Sequence, residues 1–313
     1  MVTQMYKIVI TLITLLSLFA CVEKSNKIQR TSSNIILSSK PFLEDFKKSI
    51  VKGDVVTFNR YISNGVDVNA KWKNGWTPLM SASLFGRIEI IKKLIQHGAD
   101  VNATENFGQT ALMFVDCPNG YYIDKYGLRQ IRRGNHCLEL YKLLISSGAD
   151  VNIRSKSGDT ALMKSRNIVF TRELMSNGAN INDKTNPGWT ALMFASKSGN
   201  IEIVNELIKL GANVNEKAND GTTSLMCAAD RGFLEVCKTL IKSGANINDT
   251  NYNNFSPLIL ASRTATLYIV KELVRNGANL NIRDNWDATA LKNARTLGKT
   301  DIAEFLRNMG AKE

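Results

Sequence analysis

Residues 187–220 read PGWTALMFASKSGNIEIVNELIKLGANVNEKAND, and one complete structural unit runs from Gly188 to Gly221. The Thr190 hydroxyl stands just before Ala191, Leu192 and Met193, where a short polar side chain caps the free N–H groups of a helix start. Leu192 and Ala195 fall on one face of a short first helix. Ser198, Gly199 and Asn200 form a turn, after which Ile203, Val204, Leu207 and Ile208 mark an apolar stripe at helical spacing. Gly211 ends that second helix in the usual C-terminal position. The polar segment that follows is rich in turn-forming residues and suits a hairpin finger.

The same unit recurs in register at Thr77, Thr110, Thr160, Thr190, Thr223, Ser256 and Thr289, in steps of 33, 50, 30, 33, 33 and 33 residues. A second landmark keeps the beat: Gly65, Gly98, Gly148, Gly178, Gly211, Gly244, Gly277 and Gly310, most followed by Ala and then Asp or Asn. Self-similarity at this period is the signature of a solenoid and precedes any reading of residue chemistry. One such unit cannot bury its apolar face alone, whereas stacked neighbours can.

The TPLM at residues 77–80, the TALM at Thr110, Thr160 and Thr190, the TSLM at Thr223 and the GAD/NVN loops resemble the ankyrin repeat over roughly residues 41–313. The resemblance implies an all-α ankyrin-repeat solenoid, with helix-turn-helix units joined by β-hairpin-like loops, about eight units including irregular caps. One departure is systematic. The family's TPLH histidine is replaced by Met80, Met113, Met163, Met193, Met226, Ile259 and Lys292. In the family that His hydrogen-bonds neighbouring turns, while Met packs softly. The same fold with weaker coupling between turns is therefore expected.

Residues 1–20 hold a single charge, Lys7, and the apolar run 8–20 is too short for a span of about 20 residues. It fits the apolar region of a signal peptide. The ending Leu18, Phe19, Ala20, Cys21 resembles a bacterial lipobox, which implies lipid on Cys21 of an exported, membrane-anchored protein. An ordinary cleaved signal and an uncleaved anchor are the alternatives. Residues 21–40 are polar and read as a flexible tether. The formal charge is +12, of which +8 lies beyond residue 40, spread over a Lys- and Asn-rich chain. Export disfavours nucleic acid as a partner.

Residues 41–70 keep the spacing without the T-x-L motif, and Phe42, Phe46, Ile50, Val56 and Tyr61 supply their apolar faces. Terminal units have one face in water and must differ. The last unit, from Thr289 onward, is likewise irregular and caps the far end.

The 50-residue step places about seventeen extra residues, near 118–136, between the two helices of one unit. Cys117 and Cys137 bracket that insertion. In an ordinary unit these positions lie three apart across a tight turn, which brings Cα atoms near the ~4.4–6.8 Å a disulfide needs. Export favours such a bond, so a Cys117–Cys137 staple of about 3 kcal/mol is expected. Two unpaired thiols are the alternative. Cys227 and Cys237 occupy core-like positions and read as small buried residues. The insertion carries Tyr121, Tyr122 and Tyr126 among Lys125, Arg129, Arg132 and Arg133, fit either to engage a partner or to pack on the next unit.

All four Trp fall in the fingers: Trp72, Trp76, Trp189 and Trp286, joined by Phe107, Tyr252 and Phe255. By the resemblance, residues just before the Thr and at the fingertips are contact positions, with Leu84, Phe85, Lys197, Asp230, Arg231 and Arg263 on the adjacent concave face. Large aromatics favour interface hot spots, although they could instead stack on one another and close the row. Catalysis finds little support. His97 and His136 lack metal-type spacing, and Gly298, Lys299 and Thr300 lack the first Gly of a phosphate loop, since Asn293 stands there. No cofactor, metal or small-molecule substrate is expected. The expected function is a monomeric, membrane-tethered module that binds a protein partner. The alternatives are a scaffold or antidote for a neighbouring protein, and a secreted effector acting on host proteins.

Overall fold

Hydroxyl groups set the helix starts as the sequence implies. Oγ1 of Thr77, Thr190, Thr223 and Thr289 accepts the N–H three residues on, each at 3.3 Å, and Ser256 Oγ does the same for Ile259 at 3.2 Å. The computed structural model describes residues 40–115, 121–123, 129–131, 134–264 and 266–313, with the side chains of 43–115, 138–264 and 266–313. The expected signal segment 1–20, Cys21, the tether up to residue 39 and the Cys117 and Cys137 sulfurs lie outside these described residues.

Eight helical units follow one another. Unit 1 is α1 (Lys40–Lys52) and α2 (Val55–Ser63), and unit 2 is α3 (Pro78–Leu84) and α4 (Ile88–Gln96). Unit 3 has a single 3-10 turn, Leu112–Phe114, as its first element and α5 (Gly134–Ser146) as its second. Unit 4 is α6 (Ala161–Lys164) and α7 (Ile168–Ser176). Unit 5 is α8 (Ala191–Ser198) and α9 (Ile201–Lys209), and unit 6 is α10 (Ser224–Arg231) and α11 (Leu234–Lys242). Unit 7 is α12 (Pro257–Thr264) and α13 (Leu267–Arg275), and unit 8 is α14 (Ala290–Thr296) and α15 (Thr300–Asn308). Among the described residues the only strands, Tyr121–Ile123 and Arg129–Ile131, form an antiparallel hairpin inside the insertion (β1, β2). The solenoid itself is all-α.

First helices stack on first helices and second helices on second helices, so each unit buries its stripe against both neighbours. Ala228, Ala229, Ala261 and Ala294 are fully buried on the first-helix row, where a small side chain lets the helices approach. Leu94, Leu144, Leu174, Leu240, Leu273 and Leu306 fill the second-helix layer. Each of these leucines, and Leu207 of unit 5, also accepts a closing bond at its helix end: Ala212 donates to Leu207 at 2.9 Å and Ala245 to Leu240 at 3.0 Å. The left-handed glycine between them, Gly211 at φ 94°, is what this C-cap requires.

Two hydrogen-bond ladders run the length of the stack. The second Asn of the GA-loop ties one unit to the next: Asn69 donates to Gly98 O at 2.9 Å and accepts from Asp100 N at 2.8 Å. Asn102, Asn152, Asn215 and Asn248 repeat that double bond with the following unit. At the fingertips one backbone bond joins each hairpin to the next: Asn106 to Asn74, Lys156 to Phe107, Asn186 to Ser157, Asn219 to Pro187, Tyr252 to Asp220 and Asn285 to Asn253. A Cβ on Gly188 would stand 2.6 Å from Asn219 N, so glycine is needed where this ladder crosses. Unit-to-unit hydrogen bonding thus persists without the TPLH histidine. The expectation that the replacing Met only packs is corrected at Met80, whose Sδ lies 3.4 Å from the Thr77 N–H. Thioether sulfur is a weak acceptor, but here it completes a reciprocal cap.

Unit 1 departs from expectation in one residue. Phe46 and Ile50 are fully buried and Tyr61 meets Phe46 at 5.5 Å with its ring tilted, but Val56 is 81% exposed and Phe58 takes the core position, stacked on Phe46. Asp54 caps α2 through Thr57 N, and this start fixes the helix phase so that Phe58 turns inward and Val56 outward.

Candidate partner-binding face

Five of the seven fingers are braced alike from within: five residues before the Thr or Ser, a polar side chain turns back to the hairpin's own N–H groups, whereas Trp72 and Ala218 hold that place in units 2 and 6. Glu105 accepts from Phe107 and Gln109 at 2.8 and 3.0 Å, and Asn251 accepts from Asn253 and Phe255 at 3.0 Å each. Ser155 accepts from Asp159 N and Thr185 from Trp189 N, both at 3.0 Å. Asp284 accepts from Trp286 and Ala288 at 2.9 and 3.0 Å. Burial pushes the Asp284 carboxyl up, but the Asn293 amide and those two N–H groups outweigh it and hold the pKa below the ordinary 3.8. These braces escaped the sequence reading, although a polar residue at a constant offset before the Thr was the available signal.

The predicted contact aromatics divide into two sets. Phe107, Tyr252 and Trp286 are 67%, 76% and 64% exposed at the fingertips, held there by the ladder and the braces. Trp76, Trp189 and Phe255 lie half-buried at the finger roots. Trp76 meets Phe114 at 4.3 Å, Trp189 meets Phe194 at 5.4 Å, and Phe255 stacks on Trp286 at 5.6 Å. Only Phe255 and Trp286 stack finger on finger, as the alternative reading held; Trp76 and Trp189 pack instead on Phe114 and Phe194 of first helical elements, while Phe107, Tyr252 and Trp286 stay exposed. Trp72 is half-buried with Lys47 Nζ 5.4 Å from its ring, and its indole N–H is buried with no partner.

A constant offset also governs the adjacent concave face. The residue before the Thr meets the one eight positions on, in the last turn of the first helix. Lys197 Nζ lies 4.6 Å over Trp189, and the Arg263 guanidinium lies 4.7 Å over Phe255. Such cation–π contacts add about 0.5–2 kcal/mol and hold the cation at the face. Leu84 is half-buried and Phe85 is exposed at the equivalent turn of unit 2. Asp230 and Arg231 face each other at 3.8 Å in unit 6.

Units 3 and 4 interrupt this face. Their first elements are the three-residue turn Leu112–Phe114 and the four-residue α6, against seven or eight residues in units 2 and 5 to 8. The missing turns leave a notch of about 570 Å³ between Leu84 on one side and Phe194 on the other. Buried Met113 and Met163 lie at its floor, and Lys164, Arg166 and Lys197 stand among its lining residues with Asp159, the one carboxylate among its described lining residues. The 30-residue step signalled the shortening of unit 4, but nothing in the repeat spacing signalled the reduced helix of unit 3.

The remaining sequence candidates have structural places. His97 ends α4, with Nδ1 2.8 Å from Lys93 O. Cys227 and Cys237 are buried free thiols, and desolvation pushes both up to about 12. Among the described residues, no group of His, Cys, Asp and Glu side chains is arranged to hold a metal ion. No helix among them is long and apolar enough to cross a membrane.

The architecture defines a repeat protein with a braced finger row and a concave face. The family model described as ankyrin repeats (3 copies) matches residues 49–115, 131–218, 165–251 and 225–312. The chain belongs to the ankyrin-repeat family. Curated relatives include the ankyrin repeat, SAM and basic leucine zipper domain-containing protein 1 of Rhinolophus ferrumequinum and of Carollia perspicillata, each 33% identical over 51 residues. That stretch is 16% of this chain and 11% of either relative, so the chain spans about a ninth of their length. Ankyrin repeats make the protein a protein–protein interaction module.

Proposed function

We propose that the protein is a membrane-tethered binding module, with lipid on Cys21, a tether over residues 21–40 and a solenoid that holds one protein partner. The fingertips and the concave face make the contact, and no catalytic step is involved. The observation that carries this reading is the exposure of Phe107, Tyr252 and Trp286 on braced turns, since large rigid aromatics in water are costly unless a partner covers them. A preformed face loses little conformational freedom on binding.

The test is affinity capture with the full chain beside a Phe107→Ala/Tyr252→Ala/Trp286→Ala variant. These side chains are exposed, so their loss leaves the stack folded. One protein retained by the wild type and lost by the variant is the expected result; equal retention retires the fingertips as the contact. Tethering is tested by incorporation of a labelled fatty acid, which Cys21→Ser should abolish.

A further inference from the structure

We propose that the notch between units 2 and 5 is the docking site for an acidic peptide segment of the partner, one that places a large apolar side chain beside carboxylates. This rests on the reading of the chain as a protein-binding module and names the chemistry that the concave face selects.

Two features of the notch point to that occupant. Its floor is apolar, with Met113 and Met163 beneath Phe114 and Phe194, and each Phe is backed by a finger-root Trp. Methionine and phenylalanine together make an adaptable socket for an aliphatic or aromatic side chain. Among the described residues, the charge at the notch is one-sided. Asp159 is already engaged, accepting from Ser157 and Ser155 Oγ at 2.5 and 3.2 Å and pairing with Lys164 at 3.7 Å. Arg166 and Lys197 are exposed and have no carboxylate partner among the described residues, and Lys197 is held in place over Trp189. Two exposed cations beside an apolar socket, one of them held over an indole face, complement a carboxylate next to a bulky apolar residue. The chain's own insertion is the wrong sign to fill it, with Lys125, Arg129, Arg132 and Arg133 against Asp124. Nucleic acid would use the cations but leave the methionine floor unfilled.

The experiment pans a random dodecapeptide display library on the immobilised full chain, then repeats the selection on Arg166→Glu/Lys197→Glu and on Lys242→Glu. Lys242 is exposed at the end of α11, remote in sequence from the notch, and controls for non-specific charge. The expected result is an enriched consensus with Asp or Glu flanking Leu, Phe or Trp. Its affinity should fall about tenfold or more in the double variant, two ion pairs' worth, and hold in Lys242→Glu. Enrichment of basic or neutral peptides, equal retention by all variants or no enrichment at all overturns the proposal. So does an acidic consensus that emerges only after residues 118–136 are deleted, which would make the insertion the occupant. Peptides lost in the fingertip variant but kept by Arg166→Glu/Lys197→Glu would overturn the notch alone and leave the binding-module reading standing.

Discussion

The residues that matter most for shape are small polar ones at fixed offsets. An Asn in the loop after the second helix spans two units, and in five fingers a polar residue five before the Thr or Ser is the brace, so neither can be replaced by a side chain of like size without its amide, hydroxyl or carboxylate. Asp284 gives the clearest handle on this. Its carboxyl titrates lower in the folded protein than the ordinary 3.8, so its stabilisation is present above that pH and is lost as the pH falls through the folded value. The melting temperature of wild type should exceed that of Asp284→Asn near neutral pH. The gap should close as the pH is lowered below about 3.8, which thermal unfolding across pH 3–7 would read. A gap that stays constant with pH would mean that the brace does not depend on charge.

At the scale of the element, the first helices are unequal, and their stability should follow. Units 5 and 6 have full eight-residue first helices whose inward sides are closed by Ala195, Ala228 and Ala229. Unit 3 has only a 3-10 turn there, and α6 of unit 4 ends after one turn, its Thr160 Oγ1 buried without a partner instead of capping. Short elements with missing caps open at lower free energy than the packed stack. Amide hydrogens of residues 112–115 and 162–165 should exchange at least about tenfold faster than those of 192–198 and 225–231, as measured by native-state hydrogen exchange. Equal protection across the four segments would show that the notch is as rigid as the rest of the face.

At the scale of the whole molecule, stability is a sum over units and the junctions between them. Leu240 is fully buried in unit 6 and its carbonyl also closes the end of α11, so Leu240→Ala should cost about 2–5 kcal/mol. Because each unit touches only its neighbours, the lesion should split denaturant unfolding into two steps, with the units around Leu240 lost first and unit 2 later. Fluorescence of Trp76 against Trp286 in single-Trp variants would resolve the two. A single cooperative loss of all signals would mean that the Asn and fingertip ladders couple the stack more tightly than nearest-neighbour packing alone.

Much of this molecule was legible in its sequence because a repeat prints its own register. Seven Thr or Ser positions and eight glycines, at a constant offset outside units 3 and 4, mark where helices start and end, since capping and left-handed turns are local chemistry. The finger placement of Trp76, Trp189 and Trp286 followed from the same offsets. Which aromatics stay in water did not. Trp76 and Trp189 are half-covered because Phe114 and Phe194 rise beside them, and those contacts depend on how neighbouring helices pack. The outward turn of Val56 and the inward turn of Phe58 were set by the exact phase of a capped helix start. The notch, likewise, exists because two successive first helices are cut short side by side. Sequence by itself determined the period, the caps and the order of units, all interactions within a few residues. Tertiary structure alone decided which faces remain open and what charge they show, because exposure is a property of neighbours brought together from distant parts of the chain.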